Sequence, residues 1–320
     1  MATVLVAGGA GFIGSHLSER LLNDGHKVFS LDNFITGEKV NVGSFISNSS
    51  FELIEQDTTK DLAHLRNKLG DVKFVFHLAS PASPSKKSHR SYLSHPVETL
   101  LVNSVGTYNL LNLTKDLGAK FLFSSSSEVY GDPSVSPQGE DYFGNVNPNG
   151  IRSVYDEGKR FGEAMIMAFV RKYDTDARII RIFNTYGPKM QKDDGRVVSN
   201  FINQALEGKP ITVYGDGKQT RSLCFVSDLV EGLIKGMFTE GTKGEVINLG
   251  NPNEKTILEI AEIIKKMTGS SSQISFEELP QDDPKKRNPD ISKAKSLLSW
   301  VPQVDLEEGL KKTMEYFKSV

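Results

Sequence analysis

Tyr155-Asp156-Glu157-Gly158-Lys159 sets a phenol and an amine four residues apart. On a helix, that spacing brings both side chains to one face. A lysine ammonium beside a phenol, together with the positive charge of an oxidised hydride acceptor, favours the phenolate and lowers its pKa from about 10. Such a pair can take a proton from a sugar hydroxyl while hydride leaves that carbon for a neighbouring acceptor. The same spacing is common on solvated helical faces, so it gains weight only from what stands upstream.

Upstream, Gly8-Gly9-Ala10-Gly11-Phe12-Ile13-Gly14 joins a short apolar run, Thr3 to Ala7, to a segment with helical spacing of Ile13, Leu17 and Leu21. Small residues in that position let the backbone turn tightly and approach a pyrophosphate resting on a helix N-terminus. Gly8, Gly11 and Gly14 fall three apart, a departure from fingerprints that open Gly-x-Gly. Asp32 ends the next apolar run, eighteen residues after Gly14. A carboxylate there accepts hydrogen bonds from ribose hydroxyls and repels a 2'-phosphate, so NAD is expected over NADP. Asp57, after the third run, is a second candidate, for the adenine; capping a following helix explains it nearly as well. Ser124-Ser125-Ser126-Ser127-Glu128 follows the fifth run, Phe121 to Phe123, where strand ends face the ligand crevice of a doubly wound sheet.

These residues need a scaffold that gathers strand ends. Thr3 to Ala7, Val28 to Leu31, Phe51 to Ile54, Phe74 to Leu78, Phe121 to Phe123 and Ile179 to Phe183 read as about six strands. Helical segments fall between them: Phe12 to Asn23 with Gly25 at its C-terminal end, Asp61 to Leu69, Val97 to Leu117 and Arg152 to Tyr173. That alternation implies an α/β fold, a Rossmann-type doubly wound parallel sheet covered on both faces. Strand-like pieces Ile211 to Tyr214 and Val246 to Leu249, and helices from Val197, Ser227, Ile257 and Leu306, imply a smaller α/β C-terminal substrate domain. With no Pro/Gly/Ser linker between them, the parts should interleave. Residues 1–182 with about 222–243 would form the NAD-binding domain, and 183–221 with 244–320 the substrate domain.

Composition removes other classes. Thirty-eight basic and forty acidic side chains in 320 residues leave a net charge of -2, so no general attraction to nucleic acid or an anionic membrane is expected. The single cysteine, Cys224, excludes an intramolecular disulfide and a multi-cysteine metal site; it reads as a core thiol in a reducing compartment. No apolar run reaches the roughly 18 residues of a membrane span. No metal site is expected.

Taken together, these stretches resemble the extended short-chain dehydrogenase/reductase family over nearly the whole chain. Within that family, the similarity is greatest to the members that decarboxylate UDP-glucuronate. Gly8 to Leu17 and Arg181-Ile182-Phe183-Asn184-Thr185-Tyr186-Gly187-Pro188 are general to the superfamily. More specific are His77-Leu78-Ala79-Ser80-Pro81-Ala82-Ser83-Pro84, Asp194-Gly195-Arg196-Val197-Val198-Ser199-Asn200-Phe201, and Gln281-Asp282-Asp283-Pro284 leading to Arg287 and Pro289-Asp290-Ile291. Ser127 to Pro133 and Tyr155 to Arg160 complete the set.

The resemblance implies a reaction and its residues. NAD takes hydride from carbon 4 of the glucuronate, the resulting ketone lets carbon dioxide leave, and the hydride returns to give UDP-xylose. Tyr155 is then the base, Lys159 its electrostatic partner and a ribose ligand, and Ser126 a holder of the same hydroxyl where threonine is usual. Glu128 and Ser127 manage protons near carbon 5, and Arg287 pairs with the substrate carboxylate. Gly8, Gly11, Phe12, Ile13, Gly14, Asp32, Asn33, Asp57, Thr58, Leu78, Ala79 and Ser80 are expected to hold the cofactor. Asn184, the helix start at Val197, Tyr214, Gln219 and Arg221 are expected around the UDP half. The family also implies a homodimer through a four-helix bundle. Some members carry an N-terminal membrane anchor; this chain begins at its first strand, and a cytoplasmic protein is expected. A 4-epimerase or 4,6-dehydratase is the competing enzyme, but an epimerase lacks Glu128 and a dehydratase usually has Asp-Glu at 127–128. A non-catalytic dinucleotide sensor should have lost Tyr155 and Lys159. Two departures stand out. The loop after Pro84 carries extra residues Ser85 to Arg90, expected as solvated more than as a basic lid. Glu98 to Asn103 lacks two lysines usual in the family.

Overall fold

Val4 and Val6 point to one side of the first strand and Leu5 and Ala7 to the other, and all four are buried. A strand hidden on both faces belongs in the middle of a covered parallel sheet. The computed structural model describes residues 1–85, 88–279 and 286–320. The first half runs β1 (Thr3–Ala7), α1 (Phe12–Asn23), β2 (Lys27–Asp32), β3 (Phe51–Glu55), β4 (Val72–His77), α2 (Pro96–Leu101), α3 (Thr107–Leu117), β5 (Lys120–Ser126), α4 (Ser153–Tyr173) and β6 (Ala177–Ile182). A π-helical turn, Val102–Gly106, joins α2 to α3. The second half runs β7 (Thr185–Tyr186), α5 (Val197–Leu206), β8 (Ile211–Tyr214), β9 (Thr220–Ser222), β10 (Cys224–Phe225), α6 (Val226–Phe238), β11 (Val246–Leu249), β12 (Glu254–Thr256), α7 (Ile257–Thr268), β13 (Ile274–Glu277), α8 (Ser292–Leu298) and α9 (Leu306–Ser319).

Seven strands form one parallel sheet in the order β11-β6-β5-β4-β1-β2-β3. The order reverses between β1 and β4, which opens a crevice at their carboxyl ends. Leu110, Leu111, Ile166 and Phe169 of α3 and α4 cover one face against Leu5, Val75, Phe121 and Ile179. Leu17, Leu21, Leu229, Leu233 and Met237 of α1 and α6 cover the other against Val4, Val6, Phe76, Leu122 and Ile180. This second layer runs on without a break into Phe201, Ile202, Val213, Ile260, Ile264 and Leu310 around α5, α7 and α9. There, the sheet pieces are only two strands each: β7 with β10, β8 with β13, and β9 with β12. Cys224 lies fully buried in this layer, and burial pushes its thiol well above the ordinary range.

Three expectations need correction. The stretch 61–69 is not a helix: Leu62, Leu65 and Leu69 are buried at helical spacing, but only a 3-10 turn, Ala63–Leu65, forms, started by Asp61 accepting from the Ala63 N–H. Packing of the leucines is met without a continuous i to i+4 ladder. Val246 to Leu249, expected with the substrate part, pairs with β6 and ends the main sheet. It is apolar enough to be covered by α6 and α8, so its burial goes to the larger layer. The loop after Pro84 is not merely solvated: Ser88 is buried, and Arg90 pairs with Glu38 at 2.7 Å. Lys86, Lys87 and the run Gln281 to Lys285 lie outside the described residues.

Candidate functional site

The glycine loop is built by steric need. Gly8 has φ +82°, and a Cβ there would lie 2.6 Å from the Ala79 backbone nitrogen. A Cβ on Gly14 would collide with the Gly8 carbonyl. Gly11 is the N-cap of α1 and offers no side chain to its first turn, so those N–H groups face the cavity uncapped. An uncapped helix start carries partial positive charge and free donors. Asp32 accepts from the Ala10 and Phe34 N–H groups, both at 2.9 Å. Burial raises its pKa, and those two bonds oppose the rise. Each oxygen keeps a lone pair for a hydroxyl, so the loop and carboxylate fit the pyrophosphate and ribose of a dinucleotide.

One cavity of about 990 Å³ runs along the crevice. Every residue expected at the site lines it: the glycine loop with Phe12 and Ile13, Asp32, Asn33, Asp57, Thr58, Leu78 to Ser80, Ser126 to Glu128, Tyr155, Lys159, Asn184, Val197, Tyr214, Gln219, Arg221 and Arg287. Asp57 is half engaged already, accepting from the Thr59 N–H at 2.8 Å in a local turn. Glu98, Leu101 and Val102 also line the cavity, so an acidic and two apolar groups stand on that wall.

The four serines divide by their partners. Ser124 donates to the His77 carbonyl at 2.9 Å and Ser125 to Glu163 at 2.5 Å, so both hydroxyls are already engaged. Ser126 caps the turn after β5, accepting from the Glu128 N–H, and hydrogen-bonds Tyr155. Ser127 accepts from Arg287 Nη1 at 2.8 Å. Tyr155 and Lys159 are both buried on α4, and Lys159 donates to the Ser124 carbonyl at 2.8 Å. Burial pushes the Tyr155 phenol up to about 12, against the pull of the Ser126 hydrogen bond, and the Lys159 ammonium down to about 7. The lowered phenol was expected from the lysine together with an oxidised nicotinamide; in the protein by itself, desolvation is the largest influence on both groups.

Arg287 is only 2 % exposed, so it is not a solvated member of a basic run. Its Nη2 contacts Glu128 Oε2 at 2.7 Å, and Arg152 Nη2 contacts the same oxygen at 2.8 Å. Burial would raise the Glu128 pKa, but the two guanidiniums outweigh it and hold the carboxylate well below the usual range. Asp156, one helical turn after Arg152, goes the other way: burial and the Glu128 charge raise its pKa. Arg287, Glu128 and Arg152 thus share one wall with Asp156 next to them, and the Arg287 Nε has no hydrogen-bond partner among the described residues. Sequence reasoning missed Arg152, Asp156 and Tyr92, whose ring stacks on Tyr155 with centroids 5.1 Å apart. Arg152 stands three residues before Tyr155, a helical neighbour that spacing could have found. Tyr92 left no such signal.

Among the described residues, no group of three or more His, Cys, Asp or Glu could hold a metal ion, and no helix is long and apolar enough to cross a membrane.

A doubly wound sheet with a glycine cradle, a strand-end aspartate and a Tyr–Lys pair in one crevice defines a dinucleotide-dependent enzyme of the short-chain dehydrogenase type. The chain belongs to the NAD dependent epimerase/dehydratase family, whose pattern matches residues 4–250, and its cofactor is NAD. It is 50% identical over 315 residues to UDP-glucuronic acid decarboxylase 1 of Xenopus tropicalis, covering 98% of this chain and 72% of that one. It is 51% identical to UDP-glucuronic acid decarboxylase 2 of Arabidopsis thaliana, covering 98% and 68%. Among solved structures, it resembles UDP-glucuronic acid 4-epimerase of Bacillus cereus in complex with UDP-glucuronic acid and NAD (TM-score 0.87, 32% identity, 99% of each chain).

Proposed function

We propose that the chain converts UDP-glucuronate to UDP-xylose and carbon dioxide through a 4-keto intermediate. The observation that carries this reading is a buried guanidinium, Arg287, at the wall of the cavity that also holds Tyr155 and Lys159. Epimerisation or dehydration of a neutral sugar has no use for it; decarboxylation is favoured over epimerisation of the same acid by the 50% identity to a UDP-glucuronic acid decarboxylase, against 32% to the 4-epimerase. Bound NAD supplies a reversible hydride acceptor and, when oxidised, a positive charge near the phenol.

Tyr155 takes the proton of the 4-hydroxyl, and Ser126 holds that hydroxyl in line. Lys159, donating to the Ser124 carbonyl, stands below Tyr155 and bonds the ribose. Arg287 receives the substrate carboxylate. With a ketone at carbon 4, the carboxylate on carbon 5 is β to it; the bond between them breaks, carbon dioxide leaves, and the electron pair enters an enolate. Glu128 rests as a carboxylate between two cations. When Arg287 turns part of its charge to the substrate, Arg152 keeps Glu128 in place, and Glu128 with Ser127 orients the proton that takes the place of the lost carboxylate on carbon 5. The hydride then goes back to carbon 4 while Tyr155 gives its proton back to the oxygen there. Asn184, the uncapped start of α5 at Val197, Tyr214, Gln219 and Arg221 bind the UDP half. Gln219 is pre-set by its bond to the Tyr214 carbonyl at 2.6 Å.

Two copies pair in a four-helix bundle, each contributing α4 and the continuous helical segment of α2 and α3. Val97, Leu100, Leu101, Val105 and Tyr108, with Phe161 and Tyr173, leave an apolar face exposed along these helices, which supports that pairing. The buried free thiol of Cys224 suits a cytoplasmic setting.

Incubation with UDP-glucuronate tests the reading. Carbon dioxide should appear in step with UDP-xylose and without net NADH. A 4-keto sugar with accumulating NADH would show that the hydride is not returned. Inversion at carbon 4 with the carboxylate kept would replace decarboxylation by epimerisation.

A further inference from the structure

Arg287 has to be held rigidly by something other than its own ion pair, because that pair must be shared when a substrate carboxylate arrives. Its backbone neighbours answer this. Gln138, in the long connection between β5 and α4, is fully buried and bridges to Pro289 in parallel pairing. Its N–H donates to the Asn288 carbonyl at 2.8 Å, and its carbonyl accepts from the Asp290 N–H at 2.9 Å. Its side-chain Oε1 accepts from the Asn288 N–H at 2.9 Å, while Nε2 donates to the Val135 carbonyl at 2.6 Å. Three bonds therefore tie Gln138 to the residue after Arg287 and the one two beyond it. The clamp is itself anchored: Asn248 of β11 donates to both the Gln138 and Asp290 carbonyls and accepts from Tyr130.

We infer that Gln138 is a positioning residue for decarboxylation: through the Asn288 backbone, its side-chain amide fixes where the Arg287 guanidinium meets the substrate carboxylate. The inference rests on the proposed reaction. It says that the amide acts on one step only, because Gln138 does not line the cavity and its hydrogen bonds go to Asn288, Asp290, Val135 and Asn248, none of them in the cofactor cradle. Shifts of about 1 Å in a catalytic group cost up to roughly a hundredfold in rate. A slackened Arg287 should slow the loss of carbon dioxide and leave hydride removal alone.

The test compares two substrates, UDP-glucuronate and UDP-xylose, the second lacking the carboxylate. Gln138→Leu keeps the backbone pairing and removes both side-chain bonds. It should lower kcat for carbon dioxide release about tenfold or more, raise KM for UDP-glucuronate, and leave single-turnover NADH formation from UDP-xylose within about twofold of the parent. Gln138→Glu keeps the acceptor for Asn288 and, when protonated, the donor for Val135. Its activity relative to the parent should recover as pH falls, which also carries the test should the leucine variant fold poorly. An equal loss with both substrates, or no loss in either variant, would overturn the positioning role. Failure of the parent protein to release carbon dioxide at all would instead overturn the reaction on which the role depends.

Discussion

Two buried ion clusters flank β5, and they differ in one respect. Behind the strand, Arg181 forks onto Glu163 with bonds of 2.9 and 2.8 Å, while Ser125, Tyr130 and the Glu140 carbonyl take up the remaining contacts. Burial would lower the Arg181 pKa, but Glu163 reverses that, so the guanidinium is held firmly charged. In front of the strand, Arg287, Glu128, Arg152 and Asp156 form the second cluster, and here the accounting is incomplete. Arg287 Nε and Asp156 Oδ1 have no hydrogen-bond partner among the described residues, and Arg287, Glu128 and Arg152 line the cavity while Arg181 and Glu163 do not. A fully satisfied cluster costs most when one partner is removed and does nothing else. An under-satisfied one beside a cavity is arranged for a charged ligand.

The comparison can be broken most sharply at Arg287. Arg287→Ala should lower carbon dioxide release about a thousandfold, as loss of a preorganised charge contact does, and leave NAD affinity nearly unchanged by fluorescence titration. Equal loss of both would make the front cluster structural like the rear one. Arg181→Leu should do the reverse. Stranding Glu163 should lower unfolding stability by about 3 kcal/mol in urea, with the ratio of carbon dioxide release to NADH formation unchanged. A shift in that ratio would erase the distinction.

Asp32 provides a carboxylate held by backbone N–H groups in place of cations. Asp32→Ala should shift preference from NAD toward NADP by about tenfold in relative Kd, the size of a lost charge-assisted hydrogen bond, without moving either cluster. An unchanged preference would remove Asp32 from the ribose site. The smallest effect belongs to Asp156. Because its folded pKa is raised, the folded state keeps a proton that the unfolded chain releases above about pH 3.9. Its contribution to stability is therefore greatest below that pH and declines as pH rises toward the folded value. Asp156→Asn should be nearly neutral at pH 4 and increasingly stabilising toward pH 8, seen as a pH-dependent difference in Tm. A constant difference across that range would place the Asp156 proton elsewhere. Glu128, held below its ordinary value, gives the opposite slope: its contribution is present above about pH 4.3 and fades on acidification.

How much was legible in the sequence follows from the range of the forces involved. The cofactor half is written in contiguous residues: Gly8, Gly14 and Asp32 act through backbone geometry within one strand–helix–strand unit, and their spacing carries the information. Tyr155 and Lys159 share a helical face for the same local reason. The layers are also legible, since Val4 and Val6 alternate with Leu5 and Ala7, and Leu17 and Leu21 recur at helical spacing. The Asp61 to Leu69 segment misled because a leucine spacing that packs well does not require a helix.

Charge clusters obey distance in space, not in sequence. Arg287 meets Glu128 across 159 positions and Arg152 meets it across 24, so only the closed fold could show that one carboxylate holds two guanidiniums. Ser125 and Ser126 are identical in sequence terms, and only the pleat of β5 sends one to Glu163 and the other to Tyr155. The same holds for Val246 to Leu249, whose apolar run states that it is a strand but not which sheet it joins. Residue order thus settled the glycine turn, the shared helical face of Tyr155 and Lys159 and the layers, because each depends on torsions and periodicity over a few residues. Tertiary packing alone settled which charges meet, because desolvation and Coulomb attraction act between whatever surfaces folding brings together.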